Sequence, residues 1–321
     1  MHAEQDTEYR HAMMAKGEGE GGEEGEEGEG REEEPKVADR VVVGGNEALV
    51  KALANKLPVQ YGKRVDCIAL IPSQEKGKGK GQRQVEVTTT TTDGGLCEQR
   101  WVADAVVVTC PLGVLKANRP SFDPPLPPDK QGAIHRLGFG VVNKCVLLFQ
   151  QQFWHDDQSF GSATSDDERR GFGFLFYSYA QTHGAPLLVG LIAGKAAHAV
   201  ETMAAEAVKA RMMDRLRAIF GADVPEPIDY VVTGWKGDEF AAGSYSHVAK
   251  GASGEDYDVM AEPAWRDNDE RGGGGGMARL FFAGEHTCRA HPATMHGAFL
   301  SGMRAAGLLH HDYMRTTHGL R

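Results

Sequence analysis

Three groups of residues have types and spacings that could do chemistry. Lys144 stands inside Val141-Val142-Asn143-Lys144-Cys145-Val146-Leu147-Leu148-Phe149, an apolar run that reads as a strand. Burial there would lower the pKa of the amine by desolvation and leave a group able to hold a water. The competing reading is an edge-strand lysine turned to solvent. Glu285 follows the apolar run Leu280-Phe281-Phe282-Ala283 and the turn residue Gly284, which puts a carboxylate at a strand's C-terminal end, where ligands sit in open α/β sheets. Pro292 then marks a helix start, and Ala293, Gly297, Ala298, Ser301, Gly302, Ala305 and Ala306 keep one helical surface thin enough for close approach. Trp235, Phe240 and Tyr245 are spread through irregular, Gly-containing sequence. Helical core packing does not explain that spacing; filling space between two lobes does.

The strand, acidic turn and small-residue helix from Leu280 to Leu309 have the form of a cradle for a large flat cofactor. Unsatisfied N–H groups and the positive dipole end at the helix N-terminus suit a cofactor that becomes anionic on reduction, as a flavin does. The segment AGEHTCRAHPATMHGAFLSGMRAAG resembles the C-terminal flavin-binding signature of flavin-containing amine oxidases. Its Ala-Thr before His-Gly-Ala most resembles the lysine-specific histone demethylases and their plant-type homologues. Gly44-Gly45-Asn46, the following LPVQYGKRVDCI and Thr109-Cys110-Pro111-Leu112-Gly113-Val114-Leu115 are similar to further segments of that family.

The resemblance implies FAD as cofactor. It makes Lys144, within a GFGxxNK match, the catalytic residue, binding a water beside flavin N5. It places Val65, Thr109, Pro111, Trp235, Phe240, Gly284, Glu285, Thr294, Met295 and Ala298 at the cofactor, and Tyr245 and Thr294 in the wall of the amine pocket. Phe240 stands where the family pattern leads one to expect tryptophan. Thr294 stands where monoamine and many polyamine oxidases carry a second tyrosine, so the pocket opens toward a bulky peptide lysine. The implied reaction is oxidative demethylation of mono- or dimethyl-lysine on a histone tail, releasing formaldehyde and hydrogen peroxide. A trimethylated lysine has no free lone pair and should not react. Polyamine oxidation is the alternative within the enzyme class, and a truncated, non-catalytic binding or remnant chain is the alternative outside it. Implied partners are the histone tail and corepressor or chromatin proteins, and the implied location is the nucleus.

Composition sets outer limits. The 321 residues have 41% hydrophobic content, enough for a substantial core, and a formal charge of −10. Most of that charge lies in residues 17–34, a Gly/Glu tract that reads as a disordered insertion. A binding site for basic tails is a non-specific second reading of the tract. No basic face argues for direct nucleic-acid binding. The five cysteines, Cys67, Cys97, Cys110, Cys145 and Cys288, are odd in number and lack CxxC spacing, which argues for a reducing compartment and against a zinc site. No apolar run resembles a signal peptide or a bilayer span, so the chain reads as soluble and intracellular.

The elements that must position the three groups alternate between strand and helix. Expected strands are 40–43, 65–71, 84–92, 103–109, 172–179, 186–193 and 229–235, with helices 46–57, 131–136 and 201–220. Lys76 to Gly81 reads as a loop and 266–276 as a flexible linker. The expected fold class is α/β with an α+β substrate lobe: the C-terminal part of a two-lobed FAD-dependent amine oxidase fold without its N-terminal Rossmann half. No GxGxxG follows a strand anywhere in the sequence, which places the adenosine half of the site upstream. The expected divisions are 1–39, an N-terminal segment; 40–116, a partial FAD-binding lobe; 117–276, a substrate-binding lobe; and 277–321, a C-terminal FAD-binding segment.

Overall fold

The computed structural model describes residues 42, 45–73, 83–92, 98–157, 159–161, 163, 170–267 and 276–318. The Gly/Glu tract, the loop at Lys76 to Gly81, most of the linker after Arg266 and nearly all of the expected first strand lie outside these residues.

Val and Ile alternating with polar residues build a four-stranded sheet in the order β3-β2-β1-β5, with β1 Lys63–Pro72, β2 Arg83–Thr91, β3 Gln99–Ala103 and β5 Ser121–Asp123. β1 and β2 pair antiparallel, and the threonine run Thr88 to Thr91 is part of that strand. A three-stranded sheet has the order β13-β14-β4, where β4 is Val106–Val108, β13 Ala264–Arg266 and β14 Ala278–Phe282. β14 runs parallel to β4 and is buried at every position. β4 itself has one strand partner among the described residues and leaves Val107 exposed, so it is an edge of this sheet. The second lobe holds the five-stranded sheet β11-β7-β10-β9-β8, with β7 Val142–Leu148, β8 Ser159–Gly161, β9 Phe172–Ser178, β10 Leu187–Ala193 and β11 Asp229–Val232. A short ladder pairs β6 Gly138–Gly140 with β12 Tyr245–His247.

The helices are α1 Glu47–Ala54, α2 Leu112–Lys116, α3 Pro128–Arg136, α4 Ala180–His183, α5 Gly194–Val200, α6 Ala205–Phe220, α7 Glu255–Ala261 and α8 Met295–His318. The apolar face of α1 forms as its spacing predicts, yet none of its residues is buried. The helix expected over 201–220 begins four residues later, at Ala205, and α5 precedes it as a separate element. Val208, Met212 and Leu216 of α6 pack with Cys145, Leu147, Phe176, Leu188 and Ile192 on one face of the five-stranded sheet, and this is the larger core.

The second core joins β1, β2, β4 and β14 to α2, α3 and α7. Lys130 of α3 is buried in it, and its Nζ donates to Val259 O at 2.6 Å and Met260 O at 3.1 Å while lying 4.3 Å from the ring centre of Phe282. A cation on the last carbonyls of α7 satisfies acceptors that the helix end leaves open. α8 is bound along β14 by small residues and by polar ties: Gly297, Ser301 and Ala305 are buried. Arg304 donates to Phe282 O at 3.1 Å and Thr287 O at 2.6 Å, and Asp312 accepts from Ala278 N–H at 3.1 Å. Met295, Phe299 and Met303 on the opposite side of α8 are exposed. No described helix is long and apolar enough to cross a membrane.

Candidate active site

Strand alternation decides where Lys144 points. On β7 the neighbours Asn143 and Cys145 are buried against the helices, so Lys144 projects to the other face and is exposed. The expectation of a buried lysine fails for that reason. The edge-strand reading fails as well, because β7 is paired on both sides, with Lys144 opposite Leu191 of β10 and its carbonyl accepting from Thr233 N–H at 3.0 Å.

The aromatic residues sit on the connection from Thr233 to Tyr245, whose two ends are tied to β7. At the first end Thr233 Oγ1 accepts from Lys144 N–H at 2.8 Å, and Asn143 Oδ1 accepts from Trp235 N–H at 3.2 Å. At the other end Ser244 Oγ accepts from Val142 N–H at 2.9 Å and donates to Val142 O at 3.1 Å. Trp235, Phe240 and Tyr245 are 41%, 50% and 40% exposed, so they are not packed filler among the described residues. The middle of the connection lies on α2: a Cβ at Gly113 would stand 2.7 Å from Ala242 O, and only glycine permits that approach.

The turn after β14 differs from its expected form. Glu285 does not present a free carboxylate. Its Oε1 accepts from Ser246 N–H at 3.0 Å, and its Oε2 accepts from Ser246 Oγ at 2.6 Å and Ala293 N–H at 2.7 Å. Ser246 Oγ lies 3.1 Å from the hydroxyl of Tyr257, which therefore donates to it. Glu285 thus joins the residue after Tyr245 to the residue before Thr294. Gly284 N–H donates to Ser301 Oγ at 2.8 Å, fixing the turn to α8. The helix starts at Met295 and not at Pro292, and Thr294 is its N-cap: Thr294 Oγ1 accepts from Gly297 N–H at 3.0 Å and donates to His291 O at 2.8 Å. A helix of 24 residues therefore begins beside Thr294, with the N–H groups of Met295 and His296 lacking intrahelical acceptors by position.

A cleft of about 440 Å³ gathers a further set, lined by Val65, Cys110, Pro111, Arg119, Glu239 and Phe240 among others, with Thr109 exposed next to it in sequence. The expected residues thus fall into three clusters. Val65, Pro111 and Phe240 share the cleft; Lys144, Trp235 and Tyr245 share β7 and its connection; Gly284, Glu285, Thr294, Met295 and Ala298 share the turn and the start of α8. Phe240 lies on the same connection as Trp235 and Tyr245, and the Glu285 to Ser246 bonds link that connection to the turn. A cleft with apolar walls at Val65, Pro111 and Phe240 and charged ones at Arg64, Arg119 and Glu239, the helix N-terminus beside Thr294 and the exposed rings of one connection are features that suit a flat, anionic group.

Sequence reading missed the polar groups that hold this scaffold. Asn143 is fully buried, and its Nδ2 donates to Ala197 O at 3.2 Å and Glu201 Oε1 at 2.7 Å. Burial pushes the Glu201 carboxyl up, but hydrogen bonds from Asn143, Lys236 N–H and Gly237 N–H outweigh it and hold the group below the usual carboxylate range. Asn143 stood in the GFGxxNK match; nothing local marked Glu201 or Ser246. Burial also pushes the Cys110 thiol up, and no disulfide occurs among the described residues. No cluster of metal-binding side chains occurs among them either.

Residues 11–310 match the flavin containing amine oxidoreductase family. The chain is 43% identical over 285 residues to Lysine-specific histone demethylase 1 homolog 2 of Arabidopsis thaliana, covering 86% of this chain and 34% of that protein. It is 45% identical over 267 residues to Protein FLOWERING LOCUS D of Arabidopsis thaliana, covering 82% of this chain and 30% of that one. It therefore spans about a third of the length of these curated relatives. A triple mutant from a redesign of cofactor binding in putrescine oxidase has the same fold, with a TM-score of 0.63 at 20% identity over 84% of this chain and 53% of that one. The mixed α/β architecture agrees with that fold, and FAD is the cofactor that goes with this family. The chain belongs to the flavin containing amine oxidoreductase family.

Proposed function

We propose that this chain forms the C-terminal part of the catalytic domain of a lysine demethylase acting on mono- and dimethyl-lysine in a histone tail. The observation that carries the reading is at Thr294, where a small hydroxyl residue caps α8 in place of a second aromatic ring, while Tyr245 stands exposed on β12 and the Glu285 carboxylate ties their neighbours Ala293 and Ser246 to each other. A threonine at that position would leave room for a peptide-borne lysine, where a second aromatic would close around a slim amine. The names of the relatives support the same substrate class.

In this reading Val65, Thr109, Pro111, Trp235, Phe240, Gly284, Met295 and Ala298 hold FAD, with the N-terminus of α8 offering its amides to the anionic part. The chemistry that FAD supplies when bound is two-electron oxidation of the methyl C–N bond, with oxygen reduced to hydrogen peroxide. Lys144 stands exposed on the face of β7 opposite Asn143 and would hold the water that acts there. The Tyr245 ring attracts the methylammonium through its π face, worth roughly 0.5–2 kcal/mol. The amine must give up its proton before its C–N bond is oxidised, and water then takes the oxidised methyl carbon away as formaldehyde. Residues 40–116 and 277–321 are assigned to the cofactor lobe, 117–276 to the substrate lobe, and the site of action to chromatin in the nucleus.

The test uses a protein that contains this chain and has been loaded with FAD, established by its flavin absorbance. Peroxide release is measured with a dimethylated histone peptide and with spermine. Turnover of the peptide with little turnover of spermine is expected. Robust spermine turnover would reject the demethylase reading, and a loaded protein inert toward both would reject catalysis.

A further inference from the structure

We propose that Asn143 and Glu201 are positioning residues which set the aromatic connection from Thr233 to Tyr245 against Lys144. This rests on the proposed function for its catalytic meaning, though not for its geometry.

The connection has too little apolar burial to hold itself in place. Trp235, Phe240 and Tyr245, its three aromatic side chains, are 41%, 50% and 40% exposed. What fixes it is a polar node on the buried face of β7, back to back with Lys144. Asn143 uses its amide in full: Nδ2 donates to Ala197 O at 3.2 Å and Glu201 Oε1 at 2.7 Å, and Oδ1 accepts from Thr233 Oγ1 at 3.1 Å and Trp235 N–H at 3.2 Å. Glu201 lies just past α5, and it extends the node by two residues, accepting Lys236 N–H on Oε1 and Gly237 N–H on Oε2, each at 3.0 Å. Four successive connection positions, apart from Gly234, are therefore bound to two side chains. Gly234 and Gly237 bring their backbone so close that an added Cβ would lie 3.4 Å from Glu201 Oε2.

Two features make this a positioning device and not only a core network. The node ends on the reactive strand itself: Thr233 Oγ1, which donates to Asn143, also accepts Lys144 N–H at 2.8 Å. Moving this end of the connection therefore moves Trp235 relative to Lys144. The carboxylate is also needed as a charge, because both its oxygens accept from backbone N–H groups while Asn143 supplies a third donor. A neutral amide in its place would turn an N–H group toward at least one of these donors. Hydrogen bonds to an ionised acceptor are the stronger kind.

Amide hydrogen exchange near neutral pH on this chain, wild type against Glu201→Gln, tests the geometry. The Lys236 and Gly237 amides should exchange faster by on the order of tenfold, the loss of a charge-assisted hydrogen bond, while amides within the five-stranded sheet keep their rates. Thr233→Val should do the same at Trp235, and Thr233→Ser should restore it; this pair serves if Glu201→Gln does not fold. In the FAD-loaded protein Glu201→Gln should raise KM for the dimethylated peptide several-fold with a smaller change in kcat. Unchanged exchange in the connection, or equal acceleration throughout the sheet, overturns the proposal. Faster exchange confined to the connection, in a protein whose wild type turns over no methylated peptide, keeps the positioning and removes the demethylase reading alone.

Discussion

Acidification should weaken this fold through one side chain, His286, next to Glu285 in the turn after β14. The imidazole is 2% exposed and its Nε2 has no hydrogen-bond partner. Burial, followed by the nearby positive charges of Lys130 and Arg304, pushes its pKa down from 6.5 to about 4. An unfolded chain takes up this proton near 6.5 and the folded chain only near 4, so between those values the unfolded state binds more protons. Stability is therefore complete above about 6.5 and is lost as pH falls toward about 4. At about 1.4 kcal/mol for each tenfold change in proton affinity, the loss is about 3 kcal/mol. That is a large share of the roughly 5–15 kcal/mol of a typical domain. Urea unfolding from about pH 7 to about pH 4.5 measures it, with His286→Leu as the comparison because leucine fills similar space without titrating. Glu201 and Asp256, carboxyls held below their usual range, lose stability on acidification in both proteins and cancel in the difference. The wild type should lose more than the variant as pH falls. Parallel curves would refute the argument that this imidazole is held neutral.

The remaining expectations concern the start of α8 and the exposed lysine. Thr294→Ala removes the N-cap acceptor of Gly297 N–H and should cost about 1 kcal/mol in urea unfolding, with Thr294→Ser close to wild type. Gly297→Ala gains up to about 1 kcal/mol of helix propensity, but its Cβ would stand 1.9 Å from His291 O, so net destabilisation is expected; a more stable variant would contradict the close approach. Lys144→Met should leave unfolding within about 0.5 kcal/mol of wild type, because the side chain is exposed, while slowing amine oxidation in the FAD-loaded protein. A strongly destabilised Lys144→Met would return the lysine to the core.

The elements with a strong local period were legible in the sequence. β1, β2, β10 and α6 form within a few residues of their expected spans, because alternation or helical spacing there coincides with burial against a core. Boundaries moved where backbone chemistry overrode the pattern. Pro292 pointed to a helix start, but Ala293 adopts a left-handed φ of 60°, and the helix waits for Thr294 to cap it. α1 shows the opposite limit: its apolar stripe is real, yet periodicity states which face is apolar and not what covers it.

The site was legible in its residue types and not in its bonds. Lys144 attracted attention as a charge within an apolar run, but the same period of two that made the run a strand turns Lys144 away from Asn143 and Cys145, to the opposite, exposed face. Its apolar flanks therefore described the neighbours' environment and not its own. Glu285 was placed correctly at a strand end, while its partners Ser246 and Ala293 come from two other segments, and only the fold brings them within reach of one carboxylate. The same holds for Asn143 and Glu201, which lie 58 positions apart. Residues that meet a ligand carry recognisable types in recognisable runs, because the chemistry of the ligand restricts them. Residues that position those groups need only a donor or acceptor at a given point in space, and many sequences supply one. The acidic turn and the asparagine beside the lysine therefore belong to the same class, and the function of both is tested by what moves when they are altered, not by what they touch.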